Sequence, residues 1–376
     1  MLLNLRSIAI VLPQFHPIPE NDQWWGKGFT EWTNVTKAKP LFNGHYQPHL
    51  PADLGFYDLR LEEARLAQEA LAKEYGIYGF CYYYYWFNGK RILHEPVDRK
   101  LKNPNEDLPF MLCWANENWS RRWDGGDNEI LLEQIYCEKD DRNHIRHLLP
   151  YFKDPRYIRI NNKPVFVIYK SYLFPDIKNT INIWRQEAKK ENIDLYLIKF
   201  EHYSLNCSNP NEEGFDASAE FQPWSPFFEH FLKNNFQKKR EQKLSYQVKK
   251  LFYRVLKNRD ALRKMRYYKS WQAEYGDYID FLIKNYSFPE TYLRYPSVVP
   301  SWDNTARRGQ DGSYFLNSNP VKFKEWLSFI TNKFNPPDNE QNLIFINAWN
   351  EWAEGNHLEP CSKWGKSYLE ALRIDE

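Results

Sequence analysis

The sequence has few of the features that mark secreted, membrane-spanning or metal-binding proteins. It contains only five cysteines in 376 residues, and no two of them form a CxxC pair. This odd, scattered set argues against a disulfide framework or a zinc site and favours a reducing compartment. No apolar run is long enough to predict a transmembrane helix. The N-terminal apolar stretch is interrupted by Pro13, too early for a signal peptide. We therefore expect a cytoplasmic protein.

Further absences exclude other classes of protein. The formal net charge is only +2, and no stretch resembles a DNA- or RNA-binding module, so we expect no nucleic-acid partner. No GxGxxG motif follows the first predicted strand, and no DxD-type metal motif is present, so we predict neither a cofactor nor a metal. Aromatic residues, by contrast, make up 18% of the chain, with 15 Trp and 26 Tyr. This excess suits a ligand that stacks on rings, although a compositional bias towards Tyr would also produce it.

The most informative stretch covers residues 342–360 (NLIFINAWNEWAEGNHLEP). It begins as a buried strand and ends in a polar and aromatic cluster that contains Glu351 and Glu354. If the chain turns helically after Asn350, these two carboxylates become neighbours at i and i+3. A carboxylate pair walled by Trp349 and Trp352 suits glycosidic-bond chemistry, in which one group acts as the acid while the other stays ionised. The alternative is a pair of exposed glutamates at the start of a helix, where the helix dipole favours them.

Eight apolar runs predict β-strands, and most of them are separated by a helical pattern. They cover residues 8–15, 77–87, 110–114, 164–169, 194–200, 215–221, 295–302 and 343–346. Alternating strands and helices predict an α/β fold with a parallel sheet, and eight repeats predict a single (β/α)8 TIM barrel over residues 1–376. Polar and aromatic clusters follow several of the strands, at the barrel face where such folds carry their sites. A doubly wound sheet is the structural alternative.

One segment interrupts this rhythm, and we predict a helical insertion over residues 227–290. Within it, residues 233–269 hold fourteen Lys and Arg against Glu241 and Asp260. Apolar residues at helical spacing give the basic part an amphipathic stripe. Three interpretations stay open: the stripe packs on the barrel, the segment contacts an anionic membrane surface, or it binds an acidic glycan or a partner.

Five motifs resemble the WbsX-type glycosyltransferase family, which is itself similar to glycoside hydrolase family 99. They are residues 12–17 (LPQFHP), 25–35 (WGKGFTEWTNV), 48–51 (PHLP), 114–119 (WANENW) and 349–355 (WNEWAEG). The resemblance implies a (β/α)8 barrel that acts on glycans with retention of configuration. It implies that Glu351 assists the sugar 2-hydroxyl as it closes onto the anomeric carbon. It further implies that Glu354 protonates the leaving oxygen and then activates water. A retaining route with a carboxylate nucleophile is the competing mechanism.

The sequence-based hypothesis is a carbohydrate-active enzyme that cleaves or transfers glycosyl units of a bacterial surface polysaccharide. A nucleotide-sugar-dependent glycosyltransferase of O-antigen or capsule synthesis and a non-catalytic glycan-binding protein are the alternatives. Glu351 and Glu354 are the expected catalytic residues. Because aromatic rings stack on sugars and polar groups bind hydroxyls, we predict substrate-binding roles for His16, Trp24, Trp25, Glu31, Tyr84, Trp114, Asn116, Glu117, His202, Glu220, Trp302, Trp349 and Trp352. Each of these residues alone is as consistent with a structural role.

Overall fold

Eight parallel strands form a nearly closed barrel in the computed structural model, which describes residues 5–121, 126–202, 207–234, 248 and 270–373. In chain order each strand pairs with the next, and the last pairs back with the first, with Ser7 opposite Ile344. The predicted (β/α)8 barrel is thereby confirmed. The strands are β1 (Arg6–Val11), β2 (Gly79–Phe87), β3 (Phe110–Trp114), β4 (Lys163–Ile168), β5 (Tyr196–Glu201), β6 (Ala217–Glu220), β7 (Arg294–Tyr295 and Ser297–Val298) and β8 (Leu343–Ile346).

The seventh strand is split by Pro296, which has no N–H to donate to a neighbouring strand. Before the proline, β7 pairs with β6, with Tyr295 opposite Ala219. After it, β7 pairs with β8, with Ser297 opposite Phe345. The Phe345 N–H donates to the Pro296 carbonyl over 2.9 Å, so the junction still carries a hydrogen bond between the strands. The barrel therefore closes through two short segments that contact different neighbours.

The strands are mostly apolar because the barrel core covers one face and the helices cover the other. All four residues of β8 are fully buried, and every residue of β2 is buried. The helices of the described residues include long amphipathic ones outside the barrel and short ones in its loops. They are α1 (Pro19–Trp25), α2 (Glu31–Lys37), α3 (Glu62–Glu74), α4 (Glu95–Lys102), α5 (Glu138–Lys153), α6 (Ile177–Lys189), α7 (Pro210–Glu213), α8 (Pro226–Leu232), α9 (Tyr275–Asn285), α10 (Thr305–Arg308), α11 (Pro320–Lys333) and α12 (Ser367–Glu370).

The predicted insertion falls only partly on residues that the structure describes. Helices α8 and α9 pack against each other, with the rings of Phe228 and Tyr278 centred 4.9 Å apart. The Tyr278 hydroxyl donates over 2.8 Å to the side chain of Gln222, which lies two residues after β6. Of the basic part, only residues 233, 234 and 248 are described, so the three interpretations of it lie outside the described residues. Within the described ranges, none of the helices combines the length and the apolar character that crossing a membrane requires.

Candidate active site

The chain turns sharply after β8, as the spacing of the two glutamates predicts. Residues Asn350–Glu351 pair antiparallel with Asn356–His357, and a 3-10 turn, Trp352–Glu354, joins the two segments. Gly355 closes the turn with a φ of +54°, and a Cβ placed there would lie 2.9 Å from the Cβ of Asp303. A residue with a side chain fits neither this backbone conformation nor this close approach. We call residues 350–357 the acidic turn.

Buried hydrogen bonds hold the acidic turn to the barrel. The Asn350 side chain accepts from the Leu12 N–H over 2.7 Å and donates to the Leu12 carbonyl over 3.1 Å, which ties the turn to the end of β1. Beneath the turn, Glu359 accepts hydrogen bonds from Trp352 Nε1 over 2.6 Å and from the Tyr57 hydroxyl over 2.8 Å. Burial raises the pKa of Glu359 to about 7. The backbone that carries Glu351 and Glu354 is therefore fixed from two sides.

One guanidinium, that of Arg307 in α10, joins both glutamates of the acidic turn. Arg307 Nη2 lies 2.9 Å from Glu351 Oε2, and Nη1 lies 2.5 Å from Glu354 Oε1. Its Nε and Nη2 also donate to Oε1 of Glu31, a fully buried carboxylate at the start of α2. Glu351 and Glu354, at positions i and i+3, thus converge on one small volume. The third carboxylate, that of Glu31, contacts the same guanidinium.

The ionisation of Glu351 and Glu354 depends on their burial and on the balance of charges around Arg307. Burial raises the pKa of Glu351 to about 8, and the neighbouring Glu354 adds to this effect while Arg307 opposes it. Burial also raises the pKa of Glu354, again against the influence of Arg307. Three carboxylates face a single guanidinium, so full ionisation would leave two uncompensated negative charges in a buried site. The two glutamates of the turn therefore retain a proton near neutral pH and titrate as a pair.

Asp303 connects α10 to the acidic turn. Its N–H donates to the Glu354 carbonyl over 2.6 Å, and its Oδ1 accepts from the Thr305 N–H and hydroxyl over 3.0 and 2.6 Å. Its other oxygen accepts from His45 Nε2 over 2.7 Å. Burial would raise the pKa of Asp303, but the hydrogen bonds from His45 and Thr305 outweigh burial and lower the pKa. Asp303 thus connects α10 to Glu354, through its carboxylate on one side and its backbone N–H on the other.

The two glutamates and Arg307 line an open cavity of about 590 Å³ at the C-terminal end of the barrel. Such a volume lies within the usual range of small-molecule sites, and its walls combine nine Trp, Tyr and Phe side chains with six charged ones. The lining comprises Leu12, Gln14, Trp25, Tyr83, Tyr85, Ala115, Glu117, Asn118, Trp119, Ser120, Leu131, Tyr169, Lys170, Tyr172, His202, Phe221, Trp224, Trp302, Asn304, Arg307, Arg308, Glu351 and Glu354. The site lies at the face that the sequence predicts.

Four of the predicted substrate-binding residues line this cavity together with the catalytic pair. They are Trp25, Glu117, His202 and Trp302. Glu117 forms an ion pair with Lys170, which follows β4. Burial lowers the pKa of His202 to about 3, so its imidazole is neutral in the cavity wall. These positions are consistent with contact to a substrate, and their roles stay predictions.

Tyr84 and Trp114 lie on the opposite face of the barrel wall from the cavity. The two residues are paired across β2 and β3, and both rings contact His144 of α5, with centroids 5.6 and 4.3 Å away. Alternation along β2 brings the neighbouring tyrosines, Tyr83 and Tyr85, to the cavity instead. The sequence identifies the two alternating sets of tyrosines, but the prediction of Tyr84 selects the outer set.

Trp349, Trp352 and Asn116 support the site from behind rather than line the cavity. The Trp352 ring stacks on His357 at 3.8 Å, and the fully buried Trp349 ring packs on Phe80 at 5.0 Å. Asn116 accepts from the Lys170 N–H over 2.8 Å and donates to the Lys170 carbonyl over 2.9 Å, so it joins the ends of β3 and β4. These side chains fix the residues beside them that do line the cavity.

The remaining predicted residues also lie outside the cavity lining. Glu31 contacts Arg307 and acts on the site only through that arginine. Glu220 is buried against Arg294 and the Tyr286 hydroxyl, which lies 2.7 Å away. His16 is buried, which lowers its pKa to about 4, and Trp24 packs on the cavity residue Trp119 with ring centroids 5.7 Å apart. The structure therefore does not bring these side chains to the cavity.

Several cavity residues were not predicted from the sequence, and Arg307 is the most important of them. Arg307 lies in a polar, glycine-containing stretch that reads as a surface loop, and only its position next to the predicted seventh strand could have indicated a role. Tyr169 and Lys170 directly follow the fourth strand, and the general rule for barrel sites could have identified them. Trp119 and Trp224 are aromatic residues of strand-end loops, and the same pattern indicates Trp25.

Comparisons with known proteins agree with this architecture. The sequence model of the family described as glycosyltransferase WbsX matches residues 7–372. The chain is 37% identical over 368 residues to the protein WxcX of Xanthomonas campestris pv. campestris, found in two strains. That match covers 97% of this chain and 49% of WxcX, so the chain spans about half the length of the curated relatives it matches.

Solved structures show the same fold at low sequence identity. A protein described as glycoside hydrolase-like superposes with a TM-score of 0.58 at 14% identity, covering 98% of this chain and 93% of that one. The GH99 endo-alpha-mannosidase from Bacteroides thetaiotaomicron superposes with a TM-score of 0.56 at 13% identity, covering 98% of this chain and 95% of that one. The family match spans nearly the whole barrel, including the acidic turn and Arg307. The chain belongs to the WbsX glycosyltransferase family.

Proposed function

We propose that this protein is a glycan-processing enzyme that breaks a glycosidic bond with Glu351 and Glu354 and passes the glycosyl unit to water or to a hydroxyl acceptor. The observation that carries this proposal is the convergence of both carboxylates on Arg307 at the wall of an aromatic cavity. Two carboxyl groups that share a proton beside stacking surfaces are what glycosidic-bond cleavage requires. The family and the fold similarity support the same class of chemistry.

In the proposed first step, Glu354 donates its proton to the leaving glycosidic oxygen as the bond to the anomeric carbon breaks. Burial raises the pKa of both glutamates, so exposure distinguishes them. Glu354 has 20% of its side chain exposed and Glu351 has 8%, which gives Glu354 the better access to a leaving oxygen in the cavity. Glu351 takes the proton from the sugar 2-hydroxyl, whose oxygen closes onto the anomeric carbon. The products of this step are the free leaving group and a 1,2-anhydro sugar, in which C1, C2 and the 2-oxygen form a three-membered ring.

In the second step, Glu354, now ionised, removes a proton from water or from an acceptor hydroxyl, which attacks the anomeric carbon. The three-membered ring opens as the bond between the anomeric carbon and the 2-oxygen breaks, and Glu351 returns its proton to the 2-oxygen. Two displacements at the same carbon give net retention of configuration. Arg307 keeps Glu351 and Glu354 close to one another and opposes the rise of their pKa values. Water and sugar acceptors enter at the same stage, so hydrolysis and transfer share this chemistry.

The test combines a substrate panel with three variants. Purified protein is incubated with α-linked oligosaccharides and with surface polysaccharide, and the configuration of the first-formed product is followed by NMR. We expect Glu351→Gln and Glu354→Gln each to lower kcat about 100-fold to 10,000-fold, which is the usual contribution of a positioned acid or base. Glu63→Gln, an exposed change in α3, is the matched control and is expected to behave as wild type.

Product of inverted configuration would contradict the two-step scheme. Turnover by Glu354→Gln at the wild-type rate would contradict the proposed function itself. A protein that binds glycans but neither cleaves nor transfers them, with wild-type and variants alike in this respect, would support a glycan-binding protein instead.

A further inference from the structure

Three cationic side chains line the cavity, and they differ in their partners. Lys170 is paired with Glu117, and Arg307 contacts three carboxylates. Arg308, the next residue of α10, also lines the cavity and is half-buried. Among the residues that the structure describes, no acidic side chain pairs with the Arg308 guanidinium, and no acceptor binds it. Arg308 is therefore a cavity cation whose charge no described side chain compensates at short range.

The backbone at Arg308 is held in place independently of this side chain. The Arg308 N–H donates to the Asn304 carbonyl over 3.1 Å, and Asp303 fixes the first turn of α10 through Thr305. Gly309 then ends the helix with a φ of +54°, a conformation that other residues adopt rarely. The backbone of Arg308 is thus fixed at the cavity wall.

A half-buried guanidinium without an anion is unfavourable, because it has lost part of its hydration and has gained no partner. Arginine presents five N–H donors in a planar fork that matches a carboxylate or a phosphate with two parallel hydrogen bonds. A single sugar hydroxyl fills only one of these positions. The group that complements Arg308 best is therefore a bidentate anion carried by the substrate.

We propose that Arg308 binds an anionic substituent of the glycan, so that the enzyme selects acidic or phosphate-linked saccharides over neutral ones. This inference rests on the proposed function and names the class of substrate. The aromatic side chains Trp25, Trp119 and Trp224 provide the neutral surfaces of the same cavity. A sugar ring stacks there while its anionic group contacts Arg308, which offsets the repulsion from Glu351 and Glu354. The anion is the carboxylate of a uronic acid or the phosphate of a phosphate-linked saccharide.

A different role for Arg308 would be to balance the negative charge of the acidic turn through space. That role predicts the same change of rate for neutral and acidic substrates, whereas a direct contact changes only the preference between them. The decisive quantity is therefore the ratio of kcat/KM for an acidic substrate to kcat/KM for its neutral counterpart.

The experiment measures this ratio for wild type, Arg308→Gln, Arg308→Lys and a control, Arg99→Gln. Arg99 is an exposed arginine of α4, paired with Glu95 and remote from the cavity lining. Three substrates share one glycosidic linkage: a neutral oligosaccharide, its uronic-acid counterpart and its diphosphate-linked counterpart. We expect Arg308→Gln to lower the ratio about 10-fold to 100-fold, mainly through KM, because it loses a charge-assisted hydrogen-bonded pair. Arg308→Lys keeps the charge but not the fork and is expected to recover part of the ratio.

The uronic-acid and diphosphate arms identify which anion the site takes, because only the matching arm loses preference in Arg308→Gln. Binding without turnover is followed by calorimetric titration with a disaccharide that ends in glucuronic acid, with its glucose counterpart and with UDP. Tighter binding of an acidic probe by wild type, lost in Arg308→Gln, supports the inference. An equal change on neutral and acidic substrates, or no preference in wild type, overturns it. Neither result depends on Glu354→Gln, whose unchanged turnover would instead overturn the proposed function.

Discussion

Replacing Arg307 by methionine tests how the structure sets the ionisation of the two glutamates. The guanidinium contacts Glu351 and Glu354 at 2.9 and 2.5 Å and opposes the rise of both pKa values. Without it, Glu31, Glu351 and Glu354 lose their shared counter-ion, and ionisation of the pair becomes more costly. Both apparent pKa values of the pair should rise, and the pH–rate profile should move to higher pH.

The size of the shift follows from the contacts that are lost. A hydrogen bond to a charged group contributes roughly 1.5–3 kcal/mol, and one pKa unit corresponds to about 1.4 kcal/mol. We therefore expect the bell-shaped profile of kcat/KM to move upward by about one to two pH units. With Glu351 near a pKa of about 8 in the wild type, activity of the variant at pH 6 should fall much more than its activity at pH 9.

Two readouts keep this prediction testable. The first is the pH dependence of kcat/KM for wild type, Arg307→Met, Arg307→Lys and the double variant Glu31→Gln/Arg307→Met. The second is the titration of 13C-labelled glutamate carboxyl carbons by NMR, assigned with Glu351→Gln and Glu354→Gln, which needs no substrate. The lysine variant keeps the charge, and the double variant removes one carboxylate with the arginine, so both should shift less. A profile and a titration in Arg307→Met that coincide with those of the wild type would refute this reasoning.

Three further predictions follow from the acidic turn and the cavity wall. Gly355→Ala should lower the free energy of unfolding in urea by about 1–3 kcal/mol more than Gly365→Ala. Both glycines have positive φ, but only a Cβ at position 355 would meet a neighbouring backbone. Equal losses in the two variants would contradict this prediction. The folded pKa of Glu351 exceeds its unfolded value of 4.5, so its contribution to stability is present below pH 4.5 and is lost as pH rises towards about 8. The loss of unfolding free energy between pH 5 and pH 8.5 should therefore be smaller in Glu351→Gln, by roughly 1–3 kcal/mol, and an unchanged loss would argue against a raised pKa. Trp25→Ala should raise KM with little change in melting temperature, whereas Trp352→Ala should lower the melting temperature, because only Trp352 is fully buried; the reverse pattern would exchange their assigned roles.

The fold was predictable because the strand signals are local. Each apolar run has the length of a strand, and helical patterns separate most of the runs, so the order of elements follows from the chain itself. The two glutamates were predictable for the same reason, since they lie three positions apart in the sequence and a turn brings them together. Gly355 and the adjacent tryptophans belong to the same short stretch. Features encoded within about ten residues of sequence were therefore accessible.

The rest of the site depends on contacts between distant parts of the chain. Glu31 and Glu351 lie 320 positions apart in the sequence, and only the closed barrel brings them to the same arginine. The tyrosines of β2 show a second limit. Alternation predicts that Tyr83 and Tyr84 point to opposite faces, but four identical residues in a row give no polar contrast to show which face is inner. Trp114 follows the same outer set through its pairing with Tyr84.

The most direct test of this account is a crystal structure of Glu354→Gln with an oligosaccharide that the wild type turns over. The account predicts one glycosidic oxygen within hydrogen-bond distance of the side chain at position 354, about 2.6–3.2 Å. It also predicts that the 2-hydroxyl of the same sugar lies at a similar distance from Glu351. A glycan bound elsewhere, or bound so that only one of the two side chains reaches the scissile linkage, would contradict the claim that the pair acts on one bond.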